Sequence, residues 1–270
     1  PVLSGPARGL QKWFFYPGFT PHTGGLLHPA PPPNRRPTQP PQPAPGADPA
    51  HTSSSKANQA HAALGSAVSP SPPAVTRSPT AKALRVLLFC YEPASLPAWL
   101  SAWADGPQPI DLSVCAGRAS RAVQAWQAQR GPRGDGALCI THLPWVSQLG
   151  FDALLAGHDL NFVRGEDSLV RALWAGQALV WQIYPQDDGV HQRKLAAFLH
   201  SLAAPSTLVQ AHEAWNSEPA QAPLDLGWEV LHSWGDWVRG VRQQLLAQPD
   251  LAEQLSQFAS TRAVPSRAQG

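Results

Sequence analysis

Residues 161–188 have the sequence NFVRGEDSLVRALWAGQALVWQIYPQDD, which decides the fold. A short apolar run is followed by a polar turn, an amphipathic segment with helical spacing, and a second apolar run that ends in Tyr-Pro-Gln. The pattern predicts a buried strand, a turn, a helix and a second strand. A turn that leads from a strand into a helix directs backbone N–H groups and the positive end of the helix dipole above the sheet. We therefore expect a diphosphate, as part of a nucleotide or nucleotide-sugar, to bind there.

The sequence before this stretch repeats the same alternation of strands and helices. Strands are predicted over Leu84–Cys90, Ile110–Val114, Ala137–Thr141, Leu160–Val163 and Ala178–Ile183. Helices are predicted between them over Leu96–Trp103, Arg118–Gln129, Ser147–Ala156 and Ser168–Trp174. Such alternation predicts an α/β fold with a Rossmann-like, doubly wound parallel sheet. Extra C-terminal helices are predicted over residues 190–201, 206–216, 227–247 and 250–260.

Four blocks of sequence, in one order, resemble a known family. They are residues 14–20 (FFYPGFT), 84–92 (LRVLLFCYE), 161–168 (NFVRGEDS) and 180–186 (VWQIYPQ). The chain resembles the protein-arginine rhamnosyltransferases of bacterial translation elongation factor P over most of residues 10–27 and 83–260. The resemblance implies an inverting glycosyltransferase of the GT-B architecture, with two Rossmann domains. It also implies dTDP-L-rhamnose as the donor, an arginine of elongation factor P as the acceptor, and no cofactor.

The resemblance also implies a domain organisation. In the family a whole N-terminal Rossmann domain, which carries the catalytic base, precedes the aromatic block. The chain begins Pro-Val-Leu, contains no methionine and lacks that domain's motif, so we expect an N-terminally truncated piece whose partner is its own missing domain. Residues 1–27 would be an interdomain aromatic donor loop and residues 83–262 the nucleotide-sugar-binding domain. Residues 28–82, rich in Pro, Ala and Ser, are predicted to be a disordered insert.

The turn after the fourth predicted strand supplies the first candidate site residues. Ser168, preceded by Asp167, is predicted to cap the next helix and to contact the diphosphate. Arg164 offers a planar cation for the phosphate oxygens. Glu166 is the carboxylate of this chain assigned to the catalytic site, where it would accept hydrogen bonds from donor hydroxyls while the missing domain supplies the general base. An ordinary capped helix, with Glu166 paired to Arg164 or Arg171, is the alternative.

The loop after the third predicted strand supplies a second group. Trp145 suits stacking on a pyrimidine, and Gln148 offers both a donor and an acceptor to its edge. Phe151 is a candidate for the other side of the base, although core packing is the favoured alternative for it. The resemblance further assigns Tyr16 and Phe14 to the donor, and Gln186 at the end of the last strand could also reach it.

Composition narrows the function classes. A net charge of +2 with 14% charged residues gives no general basic field, so nucleic acid is not the expected partner. No apolar run approaches the roughly 20 residues that span a bilayer, and no signal pattern opens the chain, so we expect a cytoplasmic protein without a membrane partner.

Glycine-rich dinucleotide, P-loop and zinc-hydrolase motifs are missing from the sequence, and no metal is expected. The three cysteines are predicted to be reduced core thiols. A glycosyltransferase that uses another nucleotide-sugar, or a non-catalytic nucleotide-binding or interaction module, remains an alternative function.

Overall fold

A computed structural model describes residues 13–29 and 82–262, apart from residues 187, 222, 224 and 225. Residues 1–12 and most of the predicted insert therefore lie outside the described residues. The strands are β1 (Leu84–Leu88), β2 (Ile110–Val114), β3 (Leu138–His142), β4 (Leu160–Arg164) and β5 (Ala178–Gln182). The helices are α1 (Leu96–Asp105), α2 (Arg118–Arg130), α3 (Gln148–Gly157), α4 (Gly165–Ala175), α5 (Val190–Ser201), α6 (Ser206–Trp215), α7 (Trp228–Leu246) and α8 (Leu251–Arg262). A short 3-10 turn over Gly131–Arg133 follows α2.

The five strands form one parallel sheet in the order β3-β2-β1-β4-β5, which confirms the predicted doubly wound fold. Its register places Val86 of β1 beside Leu160 of β4 and Arg164 of β4 beside Gln182 of β5. The chain builds outward from β1 in one direction and from β4 in the other. The carboxyl ends of β1 and β4 are therefore the point at which open sheets of this kind bind ligands.

Two apolar cores lie on the two faces of the sheet. One is formed with α1, α2 and α6 and contains Trp99, Phe162 and Trp215, all fully buried. The other is formed with α3, α4 and α5 and contains Leu155 and Leu169. Helix α7 contributes to both, because its first half belongs to the first core and its second half to the second. Among the described residues, no helix has both the length and the apolar character needed to cross a membrane.

The outer edge of β5 is covered by side chains of α6. The Trp181 backbone N–H donates to His212 Nε2 (3.0 Å), and the Ile183 N–H donates to Asn216 Oδ1 (3.1 Å). Asn216 returns a hydrogen bond to the Trp181 carbonyl (2.9 Å). His212 and Asn216 are four residues apart, so one helical face satisfies backbone groups that a missing neighbouring strand would otherwise pair.

The cysteines are free, as predicted, but they are not all in the core. Cys90 and Cys115 are buried, and burial raises the pKa of the Cys115 thiol to about 12 and also raises that of Cys90. Cys139 is exposed, so its prediction as a core thiol is wrong. The reason is that β3 is the other edge of the sheet, where Leu138 faces the core and the next side chain points away from it.

The aromatic segment before the insert is tied to the end of the fold. Leu251 N–H donates to the Leu26 carbonyl (3.0 Å), and the His28 N–H donates to the Asp250 carboxylate (2.7 Å). The Trp174 indole of α4 donates to the Leu27 carbonyl (3.1 Å). Residues 13–29 thus lie beside α4 and the start of α8.

Candidate functional site

An open cleft of about 210 Å³ lies at the carboxyl edge of the sheet. Its walls come from the ends of β1 and β2, from the loop that joins β3 to α3, and from the first half of α4. Among its lining residues are five of the predicted site residues: Trp145, Gln148, Phe151, Asp167 and Ser168. Parallel strands bring these loops to one edge, although the two groups are about 20 residues apart in sequence.

The helix at the cleft begins earlier than predicted. Helix α4 starts at Gly165, with Arg164 as its extended N-cap residue, so the prediction that Ser168 caps the helix is wrong. Gly165 has φ +66°, a left-handed conformation that costs glycine little and lets the chain turn directly from β4 into the helix. The Trp181 indole donates to the Gly165 carbonyl (3.0 Å) and fixes this turn. Ser168 instead lies in the first turn, buried, where the first N–H groups of a helix have no partner within the helix.

Arg164 is held between two aromatic rings. Its guanidinium carbon lies 4.6 Å from the centre of the Phe89 ring and 4.5 Å from that of Tyr91. The Arg164 Nε is buried and has no hydrogen-bond partner among the described residues. Stacking leaves guanidinium hydrogens available, because cation–π contacts use the face of the cation and its hydrogens point outward in its plane.

The apolar wall of the cleft combines exposed and packed rings. Trp145 is 82% exposed and lies over Gly117, where an added Cβ would be 3.6 Å from the indole. Phe151 packs edge-on against Phe89, with ring centres 5.1 Å apart, and still lines the cleft. Helix α3 starts beside them because Ser147 Oγ accepts from the Gly150 N–H (3.2 Å). Trp145 is therefore accessible to a flat ligand, whereas Phe151 supports the wall.

The acidic side chains at the start of α4 differ in their partners. Arg171 donates hydrogen bonds to Asp152 (3.0 Å) and to Asp167 (3.0 Å), and these bonds, led by the one to Asp152, raise the pKa of Arg171. Asp167 is thus the partner of Arg171, not Glu166 as the alternative interpretation of the sequence proposed. Glu166 and Asp167, both in the first turn, interact favourably with the positive end of the α4 dipole.

Comparison with known proteins identifies the family. Residues 2–260 match the family model described as "Elongation-Factor P (EF-P) rhamnosyltransferase EarP". The chain belongs to this family. The resemblance seen in the four sequence blocks is therefore confirmed.

Relatives support the assignment. The protein-arginine rhamnosyltransferases of Pseudomonas putida KT2440 and Pseudomonas aeruginosa PAO1 are 38% identical over 272 residues and 36% identical over 264 residues. Each alignment covers 93% of this chain and 64% of the relative, so the chain spans about 64% of the length of these relatives. A solved structure, "Structural basis for EarP-mediated arginine glycosylation of translation elongation factor EF-P", superposes with a TM-score of 0.57 at 36% identity. It covers 70% of this chain and 63% of that one, and it confirms the expected fold.

Five predicted residues do not line the cleft: Phe14, Tyr16, Arg164, Glu166 and Gln186. Phe14 and Tyr16 stack on each other with ring centres 6.1 Å apart, and both are exposed. Gln186 lines a separate polar cleft beyond the end of β5, together with His191 and Asn216. The assignment of Phe14, Tyr16 and Gln186 to the donor stays a prediction. In the described part of the chain, no three His, Cys, Asp or Glu side chains come together as metal ligands would.

Sequence reasoning missed the two rings around Arg164. Phe89 and Tyr91 lie just beyond β1, and β1 pairs with β4, which ends at Arg164. The available signal was the run Phe-Cys-Tyr directly after a buried strand, because aromatic residues at a carboxyl edge face the ligand region. The missing information was which strand would lie next to β4.

Proposed function

We propose that this chain is the donor-binding half of an enzyme that transfers L-rhamnose from dTDP-β-L-rhamnose to an arginine of translation elongation factor P, with inversion. Family membership and one observation carry the proposal. The observation is that Trp145, Gln148 and the first turn of α4 line the same cleft.

The thymine would stack on Trp145. The indole is largely exposed at the rim of the cleft, and stacking on an aromatic side chain needs only one free ring face. Gln148, at the first position of α3, would donate to and accept from the polar edge of the base. Phe151 and Phe89 close the floor beneath.

The diphosphate would lie at the start of α4. The first N–H groups of that helix, the Ser168 hydroxyl and the Arg164 guanidinium are the donors available to it. Charge builds up on the departing diphosphate as the sugar leaves, so fixed donors there stabilise the transition state without a metal or cofactor. Asp167 is turned toward Arg171, and Glu166 is the carboxylate left to accept from hydroxyls of the sugar or deoxyribose.

The acceptor step needs a base from elsewhere. A free guanidinium has a pKa above about 12, so its nitrogen attacks the anomeric carbon only if a carboxylate orients and deprotonates it. We assign this base to the N-terminal domain that the family resemblance implies. Attack from the face opposite the diphosphate inverts the anomeric configuration. The chain alone is expected to bind the donor without turnover, and we place it in the cytoplasm with elongation factor P.

Calorimetric titration with dTDP-L-rhamnose, dTDP and UDP-GlcNAc tests the proposal. Trp145→Ala should weaken dTDP binding about 5- to 150-fold, since stacking on a base contributes roughly 1–3 kcal/mol and about 1.4 kcal/mol corresponds to tenfold. Leu149→Ala is the matched control, because Leu149, in the first turn of α3, is equally exposed at 82% and does not line the cleft.

Variants at the start of α4 show which part of the ligand each side chain binds. Arg164→Ala should lower the affinity for dTDP and for dTDP-L-rhamnose alike. Glu166→Ala should lower affinity most for ligands whose deoxyribose or sugar hydroxyls bind to this carboxylate. Tighter binding of UDP-GlcNAc than of the dTDP compounds would reassign the donor. Failure of a folded sample to bind any of the three would support a non-catalytic interaction module instead.

A further inference from the structure

Gln182, the last residue of β5, is a buried polar side chain at the carboxyl edge of the sheet. It is 4% exposed and is the register partner of Arg164 on β4. Register partners direct their side chains to the same face of a sheet, so Gln182 and Arg164 project side by side. Gln182 does not line the cleft that holds Trp145.

The amide of Gln182 reaches across the end of β4 to the segment after β1. Its Oε1 accepts a hydrogen bond of 2.7 Å from the backbone N–H of Tyr91. Tyr91 lies beyond the last residue of β1, where the ladder between β1 and β4 ends with the Phe89 N–H bonded to the Phe162 carbonyl (2.9 Å). The Gln182 side chain thus fixes backbone that the sheet itself no longer holds.

Tyr91 in turn holds the arginine. Its ring centre is 4.5 Å from the Arg164 guanidinium, and Tyr184 packs edge-on against the same ring at 5.6 Å. Without Tyr91 the guanidinium would lose one of its two described aromatic contacts. An arginine side chain left free loses rotamer entropy when a ligand immobilises it, and a stacked one has lost part of this entropy already.

The end of β5 is itself rigidly placed. The backbone N–H groups on either side of Gln182, those of Trp181 and Ile183, are bound by His212 of α6 and by Asn216, the residue that follows α6. A fixed backbone gives the Gln182 amide a defined position from which to hold Tyr91.

We propose that Gln182 is a positioning residue for the diphosphate: it holds Tyr91 so that the Tyr91 ring keeps Arg164 preorganised toward the phosphates. The inference rests on the proposed function for its ligand, but not for the contacts that join Gln182, Tyr91 and Arg164. It predicts that loss of the Gln182 amide weakens binding of the phosphates and leaves binding of the nucleoside unchanged.

The test is Gln182→Met, which keeps the length of the side chain and removes its strong acceptor. Binding of dTDP and of thymidine to the ¹⁵N-labelled chain is measured by NMR titration. We expect dTDP to bind about tenfold more weakly, because its phosphates lose preorganised charge-assisted hydrogen bonds with Arg164. Thymidine, which has no phosphate, should bind as before. Gln124→Met, on the exposed side of α2, is the matched control and should change neither affinity. Equal losses for dTDP and thymidine, or no loss for either, would refute the positioning role.

A second measurement on the same samples, the NMR signal of the Arg164 side chain, does not depend on ligand binding. In the parent chain the Arg164 Nε–H signal should be shifted upfield by the two aromatic faces, and in Gln182→Met it should move toward the position of a free arginine. An unchanged signal would overturn the inference whatever the affinities show. If the signal moves but the parent binds neither dTDP nor thymidine, the positioning contact stands and the proposed function fails.

Discussion

Acid should destabilise this chain through one fully buried histidine. His212 Nδ1 donates to the Leu208 carbonyl (2.9 Å), and Nε2 accepts from the Trp181 N–H, so the ring is neutral and in a single tautomer. Burial lowers the pKa of His212 from 6.5 to about 4. A protonated ring could not accept from Trp181 and would place an unpaired charge in the core.

The sign and size of the effect follow from linkage. The unfolded chain takes up this proton near pH 6.5 and the folded chain only near pH 4, so stability is complete above pH 6.5 and falls as the pH is lowered toward 4. A pKa difference of about 2.5 corresponds to about 3 kcal/mol at about 1.4 kcal/mol per unit. Asp105, Asp159 and Asp250 have lowered pKa values, so their losses set in as the pH falls toward the ordinary 3.8 and affect the parent chain and a His212 variant alike.

Urea unfolding at several pH values between 7.5 and 4, followed by tryptophan fluorescence, measures the effect. His212→Gln is the informative variant, because an amide can still accept from the Trp181 N–H but cannot titrate. It should start less stable at pH 7.5 and lose about 3 kcal/mol less than the parent by pH 4. If parent and variant lose stability in parallel over this range, the reasoning is refuted.

Three further outcomes are expected. A thiol reagent should label native chain once, at the exposed Cys139, and all three cysteines after unfolding; rapid native labelling of more than one would contradict the assigned burial. Gly165→Ala should cost about 1–2 kcal/mol in urea unfolding because of its positive φ, whereas Gly157→Ala, with open space around it, should be nearly neutral; equal effects would count against the left-handed turn. Asp250→Ala should speed hydrogen exchange of the His28 amide, because the Asp250 carboxylate accepts a hydrogen bond from it. An unchanged exchange rate would show that this hydrogen bond does not hold residues 13–29 in place.

The sheet could be predicted because its strands are short, buried apolar runs. Leu160–Arg164 and Ala178–Gln182 are buried along almost their whole length, which is the mark of parallel strands covered on both faces. The cleft followed from the same reasoning, since loops after parallel strands converge at one edge. Trp145 and Ser168 could therefore be placed together without knowledge of any contact.

The remaining features depend on which elements become neighbours. Ser168 was a misleading helix start, because a local preference of serine for N-caps was outweighed by the turn at Gly165. Cys139 was predicted in the core because strand order, and hence which strand is an edge, does not follow from alternation alone. The contacts of Arg164 with Tyr91, and of His212 with β5, join residues 73 and 31 positions apart, and no local pattern reports them.

Helix α7 has a consequence for how the molecule comes apart. Leu231 and Trp234 pack in the core on one face of the sheet, and Val238, Val241 and Leu245 pack in the core on the other. A single helix of 19 residues therefore seals both layers. Neither layer can melt while the other keeps its full complement of contacts, so the sheet and its two helical layers should unfold as one cooperative unit.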